Sequence, residues 1–479
     1  MTFIKPSHYQ SAIFNEVSHG TSHLVIQARA GTGKTTTMIQ AAQNHIPAHL
    51  SVGFFAFNKS IAAELTARLT RKNCEAKTFH SYGNSALYRA FGRLKIQAGR
   101  VAEHVRQEYP KLERAERAAI VKAVSLAKGS LAKTVDDVLS LDDEHTLFHE
   151  DRRERHARAT LAVLDWCRDV RSSIDFDDMV WLPVVHNVRT WQYDRVIIDE
   201  TQDLNACQLE LALRACKRRG RIIAVGDPAQ AIYRFRGADS AAMERIQTRL
   251  DAKVLPLSRT YRCAKAIVRE ARPYVTDYEA AETNPEGIVR EIDVDDIENE
   301  IKIGDFLLSR SNAPLIALCL DLLVAGLPAA VAGRDVGEGL RKLIASSQAQ
   351  DPAELAAWVA TWRVREIQKA ILRDPEANTD PIDDRADCIL AIADGCETLA
   401  EVVSRCEALF ADGRPEDRIM LSSTHKAKGL ERDRVFVLRD TYLRRRKNMS
   451  RAQEQEERNL FYVAITRAKT ELIYVNGEP

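Results

Sequence analysis

The chain has 479 residues, 45% of them hydrophobic and 29% charged, a length that allows two or more cores and a balance typical of a soluble globular protein. Lys and Arg number 69 against 68 Asp and Glu, and the resulting net charge of +1 neither demands nor excludes nucleic acid, since a basic groove can sit inside a neutral total. The nine cysteines are scattered without a CxxC pair or Cys/His cluster, which argues against zinc and iron–sulfur sites and for reduced thiols in a cytoplasmic protein. The opening "MTFIKPSHYQSAIF" has no basic-then-apolar leader, no apolar run is long enough to span a bilayer, and no repeat or low-complexity tract occurs.

Along the chain, short apolar runs alternate with helical patterns: "HLVIQA", "VGFFAF", "DRVIIDE", "GRIIAVGD" and "AKVLPLS", then "GIVREIDV", "DFLLSRS", "PAAVAG", "DRVFVLRD" and "ELIYVN". Such runs predict parallel strands buried on both faces, in two α/β domains. Charged helix-rich stretches interrupt both sets, at about 89–172 and 336–415. In the second, Trp358 and Trp362 share a helix face at i,i+4 spacing, favouring a core stripe over a nucleic-acid wedge. The basic runs "CKRRGR" and "RRRK" are expected to be solvated surface.

"ARAGTGKTTT" directly follows the first apolar run and precedes a helix. Gly31 and Gly33 let the backbone curl so that the N–H groups of Ala30 to Thr36 face a phosphate chain. Lys34 supplies a compact charge to the β- and γ-phosphates and Thr35 a hydroxyl to Mg2+. Such a hydrolase needs an acidic residue at the end of a neighbouring parallel strand. "YDRVIIDETQDLNACQ" offers Asp199 for the metal and Glu200 for the attacking water, although acidic residues there also suit capping of the next helix, a role open to Asp203.

With both motifs placed, the sequence resembles the superfamily 1 DNA helicases of the UvrD/Rep type. "DETQD", "AVGDPAQAIYRFRGA", "LSRTYRC", "LSSTHKAKGLERDRVFVL" and "EERNLFYVAITRAK" resemble that family's motifs II to VI in order. "FFAFNKSIAAEL" with "KTFHSYG" is similar to motifs Ia and Ib, most like the F-box DNA helicase branch. The resemblance implies an α/β fold of two RecA-like P-loop domains with parallel sheets and helical insertions. Its expected boundaries are 1A at 1–88 and 173–255, 1B at 89–172, 2A at 256–335 and 416–479, and a reduced 2B at 336–415.

It also implies roles. Gln10 would read adenine, Tyr261 would stack on it and Glu431 would contact the ribose. Gln230 would sense the γ-phosphate, and Arg262 and Arg467 would reach the phosphates across an interdomain cleft, arginine suiting charge that develops in transfer. Lys34, Glu200, Gln230, Arg262 and Arg467 are thus the expected catalytic set, with ATP and Mg2+ as cofactors. Single-stranded DNA would meet Phe57, Asn58, Lys59, Thr78, Phe79, His80, Tyr233, Phe235, Arg236, Thr424, His425 and Lys428. Phe79 and Tyr233 could equally be core, and His425 a structural histidine. Phe235 stands where the family usually has a stacking Trp, and Ala231 where a serine is common.

The implied activity is ATP-driven movement along single-stranded DNA, 3'-to-5' from the Gln-Asp ending of the acidic box and "KGLE", with separation of duplex strands. The expected partners are single strands, single-strand/duplex junctions and other DNA-processing or single-strand-binding proteins, with RNA left open. The short 336–415 stretch and the ending soon after "ELIYVN" lead to the expectation of a compact motor without the C-terminal extension through which some relatives recruit partners. A translocase that strips proteins from single strands shares every motif, and a DNA-binding scaffold with an inactive ATP site is the alternative from another class.

Overall fold

The computed structural model describes residues 6–169, 173–233, 242–373, 379–410, 417–442 and 449–477. The chain divides after Arg259 into two compact units.

In the first unit, six strands form one sheet: β1 Leu24–Ala28, β2 Val52–Ala56, β3 Cys74–Thr78, β4 Tyr193–Ile198, β5 Cys216–Gly226 and β6 Lys253–Leu257. Their order is β3-β2-β4-β5-β1-β6 and every pairing is parallel. Parallel strands joined by crossovers bring all their C-terminal ends to one edge. The register Gln27 with Gly226 and Ile198 with Ala224 therefore sets the loops after β1, β4 and β5 side by side. Strand β3, "CEAKT", is too polar to read as a buried run. It forms because it is an edge strand, half-solvated, paired only to β2.

One face of this sheet buries Ile26, Phe54 and Ile223 against Ile13, Phe14 and Met38. The other packs Phe55, Val196 and Ile222 into a cluster with Val105, Ile120, Val124 and Val163. These last belong to helices Arg100–Glu108, Arg114–Ser130 and Arg153–Arg168, so the charged helical stretch shares its core with the sheet. Under it lies a buried ion network. Lys128 Nζ is 2.7 Å from Asp175 and 2.8 Å from Asp178, which also pairs with Arg100 at 2.5 Å. Lys217, Arg218 and Arg219 of "CKRRGR" are exposed as expected, and Arg221 alone corrects that reading. It is buried in β5, its guanidinium donating to the carbonyls of Glu16, Gly20 and Ser22 and pairing with the Glu16 carboxylate, and so pins the end of the first helix. "RRRK", 444–447, lies outside the described residues.

The second unit repeats the plan with β7 Ile288–Asp293, β8 Phe306–Ser309, β9 Ala329–Val331, β10 Ile419–Ser423, β11 Arg432–Leu438 and β12 Ala468–Asn476. The order is β7-β12-β11-β8-β10-β9, again parallel throughout. Helices Arg334–Ser347, Pro352–Arg373, Asp380–Ala393 and Leu399–Leu409 lie between β9 and β10 in sequence, and their Leu340, Val359, Trp362, Ile389 and Val402 join Leu307 and Phe436 in one core. Trp358 and Trp362 stack at 6.3 Å, with Trp362 buried in that core, as the stripe reading expected. Among the described residues no helix is long and apolar enough to cross a membrane.

Candidate nucleotide-binding site

The loop after β1 owes its shape to two glycines. Gly31 has φ 67° and Gly33 φ 76°, left-handed values that side chains disfavour. Open space surrounds the position where a Cβ of Gly33 would point, so the constraint is backbone conformation, not crowding. The buried Thr32 hydroxyl donates to the Arg29 carbonyl at 2.9 Å and ties the loop back on itself. Ala30 is buried, and the helix Lys34–Gln40 begins at once. Thr36 is exposed and its hydroxyl accepts from Arg68 at 2.9 Å.

Strand β4 ends by delivering the acidic pair to this loop. Thr35 Oγ1 donates to Asp199 Oδ2 at 2.9 Å, and Lys34 Nζ is 3.1 Å from Glu200 Oε1. Burial and the neighbouring Glu200 push the Asp199 carboxyl up to about 6. Burial alone would lower the Lys34 ammonium, but Glu200, Asp227 and Asp199 hold it above its ordinary value. Glu200 adopts φ 52°, uncommon for a residue with a side chain, and its N–H donates to Asp199 Oδ1 at 2.9 Å.

A chain of hydrogen bonds leads from here to the end of β5. Gln202 Nε2 donates to Glu200 Oε2, and Gln202 Oε1 accepts from the Asp227 N–H at 3.0 Å. Asp227 accepts from the Ala229 N–H at 3.1 Å and from Gln230 Nε2 at 2.7 Å. Burial pushes the Asp227 carboxyl up despite Arg29 and Lys34. Arg29, given no role from sequence, pairs with Asp227 at 3.3 Å. Its signal was an arginine inside a loop where small residues suffice. Asp203 is not the helix cap. It closes a 3-10 turn, Thr201–Asp203, and Asn205 caps Ala206–Arg214 by accepting from the Gln208 N–H at 2.8 Å.

Gln10 sits in the capping box of the first helix. Its Oε1 accepts from the Ser7 N–H at 2.9 Å and its Nε2 donates to Thr37 Oγ1 at 3.1 Å. One lone pair and one N–H stay available for a base.

In the second unit, Tyr261 is exposed. Arg262 pairs with Glu431 and donates to the Thr466 carbonyl at 3.2 Å. Burial would raise the Glu431 carboxyl, yet Arg262, Lys469 and Arg467 hold it below the usual range. Arg467 is buried, donating to the carbonyls of Val463 at 2.9 Å and Leu430 at 3.2 Å. Burial and the adjacent Arg262 lower it to about 10.

The expected DNA residues divide. Asn58 and Lys59 are exposed at the start of a helix that Asn58 caps, and Phe57 stacks parallel to Tyr233 at 6.2 Å. Thr78 caps the helix Phe79–Phe91, and His80 is half-buried, burial lowering its pKa against the pull of Asp177. The Phe79 side chain is corrected to core: it stacks on Phe55 at 5.1 Å within the packed face of the sheet. Thr424 is likewise buried, its hydroxyl bonded to Tyr442. His425 and Lys428 are half-buried beside it. Phe235 and Arg236 lie outside the described residues.

Residues 10–251, just over half of the chain, match the UvrD/REP helicase N-terminal domain, and residues 393–476 match the UvrD-like helicase C-terminal domain. The chain is 25% identical to F-box DNA helicase 1 of Gallus gallus over 97% of its own length and 48% of that protein. It is 25% identical to F-box DNA helicase protein 1 of Schizosaccharomyces pombe over 59% of the chain and 34% of the relative. It is 24% identical to ATP-dependent DNA helicase PcrA of Bacillus subtilis over 53% and 37%. The chain thus spans about half or less of the length of these relatives. By the extent of the first match, the chain belongs to the UvrD/REP helicase family.

Proposed function

We propose that the chain is an ATP-dependent DNA helicase or translocase that hydrolyses ATP to move 3'-to-5' along single-stranded DNA and separate duplex strands. The observation that carries it is the meeting of the glycine loop with the acidic strand end, Thr35 on Asp199 and Lys34 on Glu200. The three relatives named above are all DNA helicases by name.

Thr35 and Asp199 present hard oxygen donors side by side, the donor set that Mg2+ prefers, and would hold the ion. When bound, it neutralises charge on the β- and γ-phosphates. Lys34 exchanges Glu200 for phosphate oxygens as ATP enters. That exchange frees a Glu200 oxygen to orient the attacking water and take its proton, while Gln202 steadies the other oxygen. Asp227 and Gln230 sit at the far end of the same hydrogen-bonded chain, which supports Gln230 as the γ-phosphate sensor. Arg262 and Arg467 balance γ-phosphate charge, Arg262 giving up Glu431 to do so. Gln10, Tyr261 and Glu431 select the nucleoside. Phe57, Asn58, Lys59, Thr78, His80, Tyr233, His425 and Lys428 serve the DNA.

The test is ATP turnover with and without single-stranded DNA, beside strand separation on 3'-tailed and 5'-tailed duplexes. Stimulated turnover with preference for the 3' tail is expected, and Lys34→Ala abolishes it. Turnover indifferent to DNA would overturn the reading. A second reading has one observation in its favour. The helices of 334–409 share the sheet's core, so they supply little independent body for opening duplexes. Displacement of a bound protein without strand separation would select this translocase.

A further inference from the structure

The helix Phe79–Phe91 begins at residues assigned to DNA and ends on a surface that no motif claims. Tyr88 is 62% exposed and Phe91 42%, and Trp191 is 56% exposed. Two contacts bring the segment 186–191 alongside this helix: the Tyr82 hydroxyl donates to the Trp191 carbonyl, and Phe91 packs edge-on against His186 at 5.6 Å. Tyr82 and Tyr88 are separated by about 9 Å along the helix axis at 1.5 Å per residue. Tyr88 and Phe91, three residues apart, share one side of this helix, and Trp191 is carried by the segment beside it; helix end and segment together form a ledge of the first unit.

The two segments that form it carry basic side chains and no acidic ones. No acidic residue occurs between residues 76 and 102 or between 179 and 193, in a chain that is otherwise evenly balanced. Arg89, Arg93, Lys95 and Arg189 are all exposed, and among the described residues none has a carboxylate within ion-pair distance. Elsewhere exposed arginines such as Arg68, Arg106 and Arg158 are paired within their own helices. Unneutralised cations interleaved with flat exposed rings suit a polyanion whose bases are free to stack. A duplex hides those base faces, and the missing carboxylates speak against a basic protein.

We propose that this ledge binds a second single strand of DNA, distinct from the strand held by the motif residues. Tyr88, Phe91 and Trp191 stack on its bases, and Arg89, Arg93 and Arg189 meet its phosphates. The proposal rests on the DNA reading above.

The test compares a 3'-tailed duplex with a fork that adds an unpaired 5' tail. The wild-type chain is expected to bind the fork about fivefold or more tightly than the tailed duplex. The variant Tyr88→Ser, Arg89→Gln, Trp191→Ser changes only exposed side chains and leaves the Trp191 carbonyl in place. It should lose that advantage and keep turnover stimulated by a short single-stranded oligonucleotide. Photocrosslinks from bromouracil in the 5' tail should fall in residues 88–93 or on Trp191. An equal fork advantage in the variant, none in the wild type, or crosslinks confined to other segments would each overturn the proposal and leave the ledge to a protein partner. Turnover that no DNA stimulates would instead sink the underlying DNA reading.

Discussion

Replacing Asp199 with Asn should stabilise the nucleotide-free protein while disabling it. Asp199 is 3% exposed, and its carboxyl is raised from 3.8 to about 6 by burial and by Glu200. A carboxyl with a raised folded-state value favours the folded state fully below its unfolded value. That stability is lost as pH rises through about 6. At 1.36 kcal/mol per unit, the ionised carboxylate costs the folded chain about 3 kcal/mol near neutrality. Asn removes this cost. Its amide can still accept from the Glu200 N–H, and the Thr35 hydroxyl can rotate to accept from the new N–H2. Lys34 loses one attraction but keeps Glu200, so the net gain is about 1–3 kcal/mol. Hydrogen exchange of the Tyr193–Ile198 amides, without nucleotide or Mg2+, reads it locally from pH 5 to 8. Added protection should appear at pH 7.5 and shrink towards pH 5. A gain that does not change with pH, or a less stable variant at pH 7.5, would refute the electrostatic account.

The remaining predictions concern the same unit. Glu200→Gln should bind ATP yet lower kcat by about 10²–10⁴-fold, the range for a general base, and single-turnover hydrolysis checks it. Asp178→Asn leaves buried Lys128 with Asp175 as its remaining carboxylate and removes the carboxylate that pairs with buried Arg100. It should cost about 3–5 kcal/mol in urea unfolding, and a loss below about 1 kcal/mol would contradict the network. Asn205→Ala should cost about 1 kcal/mol by thermal melting, whereas Asp203→Asn leaves the cap of Ala206–Arg214 intact.

Much of the site was legible because its chemistry is local. Gly31, Gly33, Lys34 and Thr35 are adjacent in sequence, and a strand before with a helix after suffices to place them. The apolar runs were legible for the same reason, since a strand buried on both faces must be apolar throughout. What escaped is set by partners distant in sequence. "CEAKT" becomes a strand only because β2 offers it an edge, and Arg221 goes inside only because carbonyls at and just after the end of the first helix are there to accept from it. Phe79 was itself in the expected DNA set with core as the alternative, and its ring turns inward because Phe55 on β2 is there to receive it.

The sequence by itself therefore determined the alternating α/β plan, the phosphate loop and the acidic strand end, because each depends on residues close together in the chain. Only the tertiary structure decided that Lys34 rests on Glu200, that Gln202 links Glu200 to Asp227, and that Arg29 shares in holding Asp227. Those contacts join loops after three different strands, and the parallel register of β1, β4 and β5 is what brings them to one edge.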